Sequence, residues 1–140
     1  MVGVCLYKKI LVPIDGSAHS TRALEEAIKI AKTTSGTITL LTVQPSRTNI
    51  LSAPKQPSSE SSKSIILAES QRLVQAEGVF AEATLLEGNV VEQIVNAAKE
   101  GNFDLIVIGA RGLNRFEEVL LGSVSHGVVE KAPCPVIVTR

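Results

Sequence analysis

The stretch Lys9-Ile-Leu-Val-Pro-Ile14, followed at once by Asp15-Gly16-Ser17, decides how the rest of the chain is read. A short apolar run rich in branched side chains, closed by turn-forming residues, predicts a buried strand that ends in a loop. Beyond it, Ala23, Leu24, Ala27, Ile28 and Ala31 recur at helical spacing, with Ser17 or Ser20 available as N-cap and Gly36 past the end. Thr37–Val43 is a second strand-like run. Strand, helix and strand in this order imply a right-handed crossover and a parallel pairing.

The same alternation extends to the C-terminus. A helical pattern over Ile65–Glu77 stops at Gly78, and Ala81–Leu86, interrupted by Glu82 and Thr84, predicts a weaker strand at a sheet edge. Asn89, with Glu92 three residues on, makes a capping-box-like start for a helix whose buried stripe is Val91, Ile94, Val95 and Ala98. Gly101 ends that helix, and the most apolar strand, Asp104–Ile108, is expected at the centre. A last helix from about Ser123 to Lys131 is stopped by Pro133, and Pro135–Thr139 is the final strand. Between the second strand and the second helix, Gln44–Ser64 carries Pro45, Pro54 and Pro57 among many serines, and reads as a flexible excursion without a core element. Residues 1–140 therefore read as one α/β domain, an open five-stranded parallel sheet with helices on both faces.

Composition agrees and excludes some functions. Of the 140 residues, 44% are hydrophobic but only 3% aromatic, which suits a sheet buried on both faces and leaves no stacking platforms for single-stranded nucleic acid. Fourteen basic residues balance fourteen acidic ones, so no long-range attraction to nucleic acid or to an anionic membrane is expected. Cys5 and Cys134 are far apart and outside any CxxC pattern, which fits free thiols in a reducing compartment. Lys8 and Lys9 interrupt the apolar N-terminus, and no run approaches the ~18 apolar residues of a membrane span, so a cytoplasmic location is expected.

The chemistry concentrates after the fourth strand. Gly109 follows it directly, Gly112 comes three residues later, and after nine more residues the pair Gly122-Ser123 opens the last helix. A phosphate chain needs backbone N–H groups at close approach, which residues without a Cβ permit, and it gains from the positive end of a helix. Ser123 and Ser125 add hydroxyl donors there. Charge-assisted hydrogen bonds contribute roughly 1.5–3 kcal/mol each, so several together reach the roughly −8 kcal/mol of a micromolar complex. Glycines in this position also serve as plain turn residues, and Asp15 also suits a helix cap; both alternatives stay open. In open α/β sheets ligands lie beyond the carboxyl ends of strands where strand order reverses. Asp15 and Gly109 both sit at such ends, and if their strands are neighbours Asp15 can reach a ribose hydroxyl or a metal ion on the phosphates. Val43, ending the second strand, offers an apolar wall and backbone groups to an adenine ring. There is no Gly-x4-Gly-Lys-Ser/Thr loop, no Gly-x-Gly-x-x-Gly after the first strand, and no zinc-ligand spacing around His19 or His126.

Taken together these residues resemble the ATP-binding branch of the universal stress protein family. Gly109-Ala-Arg-Gly112, nine residues and Gly122-Ser123 match its Gly-2x-Gly-9x-Gly-Ser/Thr signature. Ile10–Ser17, Asp104–Gly109 and Ala132–Val138 match as well, so the similarity spans essentially the whole chain. The resemblance implies a strand order of 3-2-1-4-5. It implies that Pro13, Ile14, Asp15 and Val43 contact adenine and ribose, and that Gly109, Arg111, Gly112, Gly122, Ser123, Val124 and Ser125 line the phosphates. The expected ligand is ATP or AMP, alone or with Mg2+ or Mn2+, and the expected assembly is a homodimer joined through Val136–Thr139. The function implied is a nucleotide-sensing regulator of the stress response, with no nucleophile or general base evident. Two alternatives stand beside it: a slow ATPase or phosphotransferase organised by Asp15 and a divalent ion, and an interaction module in which nucleotide only stabilises the fold.

Overall fold

The computed structural model describes residues 6–46, 57–111 and 121–140. In chain order they form β1 (Lys9–Pro13), α1 (Ala18–Thr34), β2 (Thr37–Gln44), α2 (Pro57–Ala76), β3 (Ala81–Glu87), α3 (Val90–Glu100), β4 (Leu105–Gly109), α4 (Ser123–Lys131) and β5 (Val136–Thr139). The five strands make one parallel sheet in the order β3-β2-β1-β4-β5. This is the expected order. β1 is the middle strand, and β4, expected at the centre, lies between β1 and β5 with all five residues buried. β3 is an edge strand, as its polar interruptions suggested.

Helices cover both faces, and each face has its own core. α1 and α2 pack Ala23, Leu24, Ala27, Leu67 and Val74 against Ile10, Val12, Ile38 and Leu40. α3 and α4 pack Ile94, Ala98 and Val128 against Leu11, Leu41, Ile106 and Ile108 on the opposite face. Successive residues of β1 therefore serve alternate cores, which is why that strand is apolar throughout. Each fully buried side chain of this size contributes roughly 1.5–3 kcal/mol relative to exposure. Val91, expected in the buried stripe of α3, is only half-buried, while Ile94, Val95 and Ala98 are buried.

Helix starts and stops follow the residues available. Ser17 is the N-cap of α1 and accepts the Ser20 N–H at 3.1 Å; Asn89 caps α3 by accepting the Glu92 N–H at 3.1 Å. α1 ends on Ser35 in the left-handed region (φ 56), one residue before Gly36, and Gly101 caps α3 as expected. The start of α2 corrects the sequence reading. The helix begins at Pro57 rather than Ile65, so residues 57–64 are helical and not part of an excursion; residues 47–56 lie outside the described residues. A proline suits the first helical position, where its missing N–H is not needed and its φ is preset. The serine-rich first turns lack apolar periodicity, and Leu67 and Val74 further along anchor the helix.

At the amino ends of the strands, Asp104 ties β1 to β4. Its carboxylate accepts the Lys8 N–H at 2.9 Å and the Lys9 N–H at 3.0 Å. The Lys9 ammonium lies 4.8 Å from the Phe103 ring centre. Cys134 is a half-buried free thiol, pushed above its ordinary pKa by burial and by the nearby Asp104 charge; Cys5 lies outside the described residues. Among the described residues no helix is long and apolar enough to cross a membrane.

Candidate functional site

The crossovers on the two sides of the β1–β4 pair run to opposite faces, so the sheet has its topological switch point there, the place where open α/β sheets bind ligands. Pro13 makes the opening. The Asp104 N–H donates to the Lys9 carbonyl at 3.0 Å, so odd-numbered residues of β1 turn their backbone groups toward β4. At Pro13 there is no N–H to donate, and the β1–β4 pairing extends only through Leu11 and Ile106. The carboxyl ends of the two strands therefore part.

On the other side of β1 the ladder to β2 stops at Ile14. Its N–H donates to the Leu41 carbonyl at 2.8 Å, and its own carbonyl accepts the buried Thr42 hydroxyl at 3.0 Å. Val43 is the next residue of β2 that faces this side, and it lies past the last rung of the β1–β2 ladder, half-buried. Asp15 is exposed at the carboxyl end of β1, and one of its oxygens accepts the Ser17 N–H at 2.8 Å. That bond folds the turn through Gly16, whose φ of 86° suits glycine.

The amino end of α4 forms the opposite wall. Gly122 is the N-cap and has no side chain, so the cap residue itself places no hydroxyl or carboxylate over the first turn. The first N–H groups of a helix have no intrahelical partner. The Gly122 N–H is used locally, donating to the Ala110 carbonyl at 2.6 Å. The Ser125 hydroxyl donates to the same carbonyl at 2.7 Å and is buried. Its proton is therefore committed to the protein, which corrects the expectation that Ser125 offers a hydroxyl donor to a ligand. What this wall offers is the backbone N–H groups of Ser123, Val124 and Ser125, aligned with the positive end of the helix.

Between these walls lies a cavity of about 860 Å³. Pro13, Ile14, Asp15, Val43, Gly109, Arg111, Gly122, Ser123, Val124 and Ser125 all line it, so ten of the eleven residues singled out from the sequence meet there. Gly112 lies outside the described residues. Gly109 has a further role. A Cβ on it would come within 2.7–2.8 Å of the His19 backbone and Cβ, so α1 crosses β4 too closely for any side chain. The turn-residue alternative thus gives way to a packing requirement at this position.

Sequence reasoning missed part of the lining. Leu41, Val90, Ile94 and Ile108 supply an apolar wall; Leu41, Ile94 and Ile108 read only as core because they belong to buried runs, and Val90 was not singled out. Lys63 also lines the cavity, and it was hidden because the first turns of α2 carry no helical periodicity. Among the described residues, the charged groups on the lining are Lys63 and Arg111 against Asp15. His126 lines it too, with Nε2 3.9 Å from Glu130 on the helix surface. Among the described residues no group of three or more His, Cys, Asp or Glu is placed to hold a metal ion.

Comparison with known proteins gives this arrangement a family. The profile of the universal stress protein family matches residues 6–140. The universal stress protein YxiE of Bacillus subtilis is 34% identical over 148 aligned positions, which cover 96% of this chain and all of that protein. Among solved structures, the universal stress protein UspA from Lactobacillus plantarum superposes with a TM-score of 0.84 at 30% identity, covering 96% of this chain and 99% of that one. A universal stress protein in complex with cAMP superposes with a TM-score of 0.77 at 27% identity, covering 96% of this chain and 97% of that one. The sequence match over nearly the whole length and the shared sheet lead to one conclusion: the chain belongs to the universal stress protein family.

Proposed function

We propose that this protein binds an adenine nucleotide, ATP above all, in the cavity between β1, β2, β4 and α4, and acts as a nucleotide-sensing regulator. One observation carries the reading: the first turn of α4, capped by a glycine without a side chain, opens its N–H groups onto a cavity at the switch point of the sheet. The volume of about 860 Å³ lies within the range of small-molecule sites. The apolar wall of Leu41, Val43, Val90 and Ile94 suits a base, and Asp15 suits a ribose hydroxyl or a divalent ion carried by the phosphates. The cAMP complex of a relative at 27% identity supports an adenine ligand. Titration calorimetry with ATP, with and without Mg2+, tests the reading: saturable binding at micromolar or lower Kd is expected. A folded protein that takes up no ATP under either condition sinks it.

The reading includes a homodimer joined through β5. That strand ends the sheet with the run Val136-Ile-Val-Thr139, an apolar edge that a second copy would cover.

A further inference from the structure

We infer that Lys63 reads the charge of the bound phosphate chain, so that the site favours multiply phosphorylated ligands over monophosphates; this rests on the nucleotide reading above. Lys63 sits in the first half of α2, on the α1 side of the sheet, whereas the N–H groups of α4 come from the other side. Both reach the same cavity. A phosphate chain seated on the first turn of α4 would thus face a cation from across the cavity.

Two features make this more than a surface lysine. First, the segment that carries it is fixed. Ile66, one helical turn after Lys63 and on the same side of α2, packs onto the β1–α1 turn, its Cδ1 3.0 Å from where a Cβ on Gly16 would stand. The position of Lys63 is thereby tied to the turn that also holds Asp15. Second, the ammonium is uncommitted within the protein. Lys63 is half-buried, yet among the described residues it makes no hydrogen bond or ion pair, not even with Asp15 on the same lining. Its nitrogen is not among the buried atoms left without a partner, so water solvates it until a ligand arrives. An anion in the cavity supplies the missing partner, and a flexible four-carbon stem lets one ammonium follow charge along a chain of phosphates.

The test is a set of Kd values for adenosine, AMP, ATP and inorganic tripolyphosphate, measured on the full chain and on Lys63→Met and Lys63→Arg, at low and at high salt. Lys63→Met is expected to weaken ATP and tripolyphosphate about tenfold, AMP less, and adenosine less than twofold. Its ATP affinity should also fall less steeply with salt than that of the unaltered protein, and Lys63→Arg should restore most of the loss. Equal losses for all four ligands would mean that Lys63 only shapes the wall, and that outcome overturns the inference; so does unchanged ATP affinity in Lys63→Met. If the unaltered protein takes tripolyphosphate but neither adenosine nor any nucleotide, the adenine reading falls while charge reading by Lys63 stands. If it takes none of the four, both fall. Unchanged thermal unfolding of the variants separates these outcomes from misfolding.

Discussion

Single residues in this site do two jobs, and the second is seldom visible in a motif. Gly109 belongs to the glycine-spaced segment, but the contact that forbids a side chain there comes from α1, through the His19 backbone. Gly109→Ala should therefore lower stability by roughly 1–3 kcal/mol through overpacking, whether or not nucleotide is present. Urea unfolding of the ligand-free protein measures it; an unchanged midpoint would return Gly109 to a purely ligand-facing role. Ser125 teaches the same lesson. Its place beside the phosphates was legible from the resemblance, but the direction of its hydroxyl, toward the Ala110 carbonyl, was not. Asp15 likewise holds its own turn through the Ser17 N–H while remaining exposed to the cavity. The helix-cap alternative is resolved in favour of Ser17, since it is Ser17 that accepts from the first turn of α1.

Among elements, the strands and the helices with apolar stripes were readable, because burial on a fixed face imposes a period on the sequence. β1, β2, β4, α1 and α3 fall close to where Lys9–Ile14, Thr37–Val43, Asp104–Ile108, Ala23–Ala31 and Val91–Ala98 put them. The first turns of α2 were not readable, because residues 57–64 carry no apolar stripe and only a proline marks their start. With them Lys63 was lost as a site residue. The opening beside Pro13 was also beyond sequence alone, since it depends on which neighbour the missing N–H faces, and that neighbour, β4, lies far along the chain. β5 allows a prediction at this scale. The carbonyls of Pro135 and Thr139 accept from Ile106 and Ala110, so odd-numbered residues face β4 and Val138 turns its backbone to the open edge. Val138→Pro removes an N–H from that edge while leaving the β4 ladder intact. Light scattering is expected to give a dimer for the unaltered chain and a monomer for Val138→Pro; a variant that stays dimeric would show that β5 is not the joint.

For the molecule as a whole, the site lies between two cores rather than within one, with α1 and α2 on one side of the sheet and α3 and α4 on the other. A ligand that bridges Asp15, Lys63 and the first turn of α4 would bind the assembled fold and not its parts, so it should stabilise the protein by linkage. At a hundredfold excess of ATP over Kd the gain is about 2.7 kcal/mol, which moves the melting temperature of a domain this size upward by roughly 5–12 °C. A melting temperature that does not respond to saturating ATP would contradict this. Strand adjacency was the part of the whole-molecule plan that residue patterns could not supply and family resemblance did, because β1 and β4 meet across most of the chain. The Asp104 tie spans 96 residues, from Lys8 to the start of β4. The middle strand therefore waits for its second neighbour until some 96 further residues have been made. As the chain leaves the ribosome, β1, α1 and β2 come together early, while the flank of β1 that will meet β4 stays open to wrong pairings. Such late, long-range closure makes refolding slow relative to helical proteins of equal length.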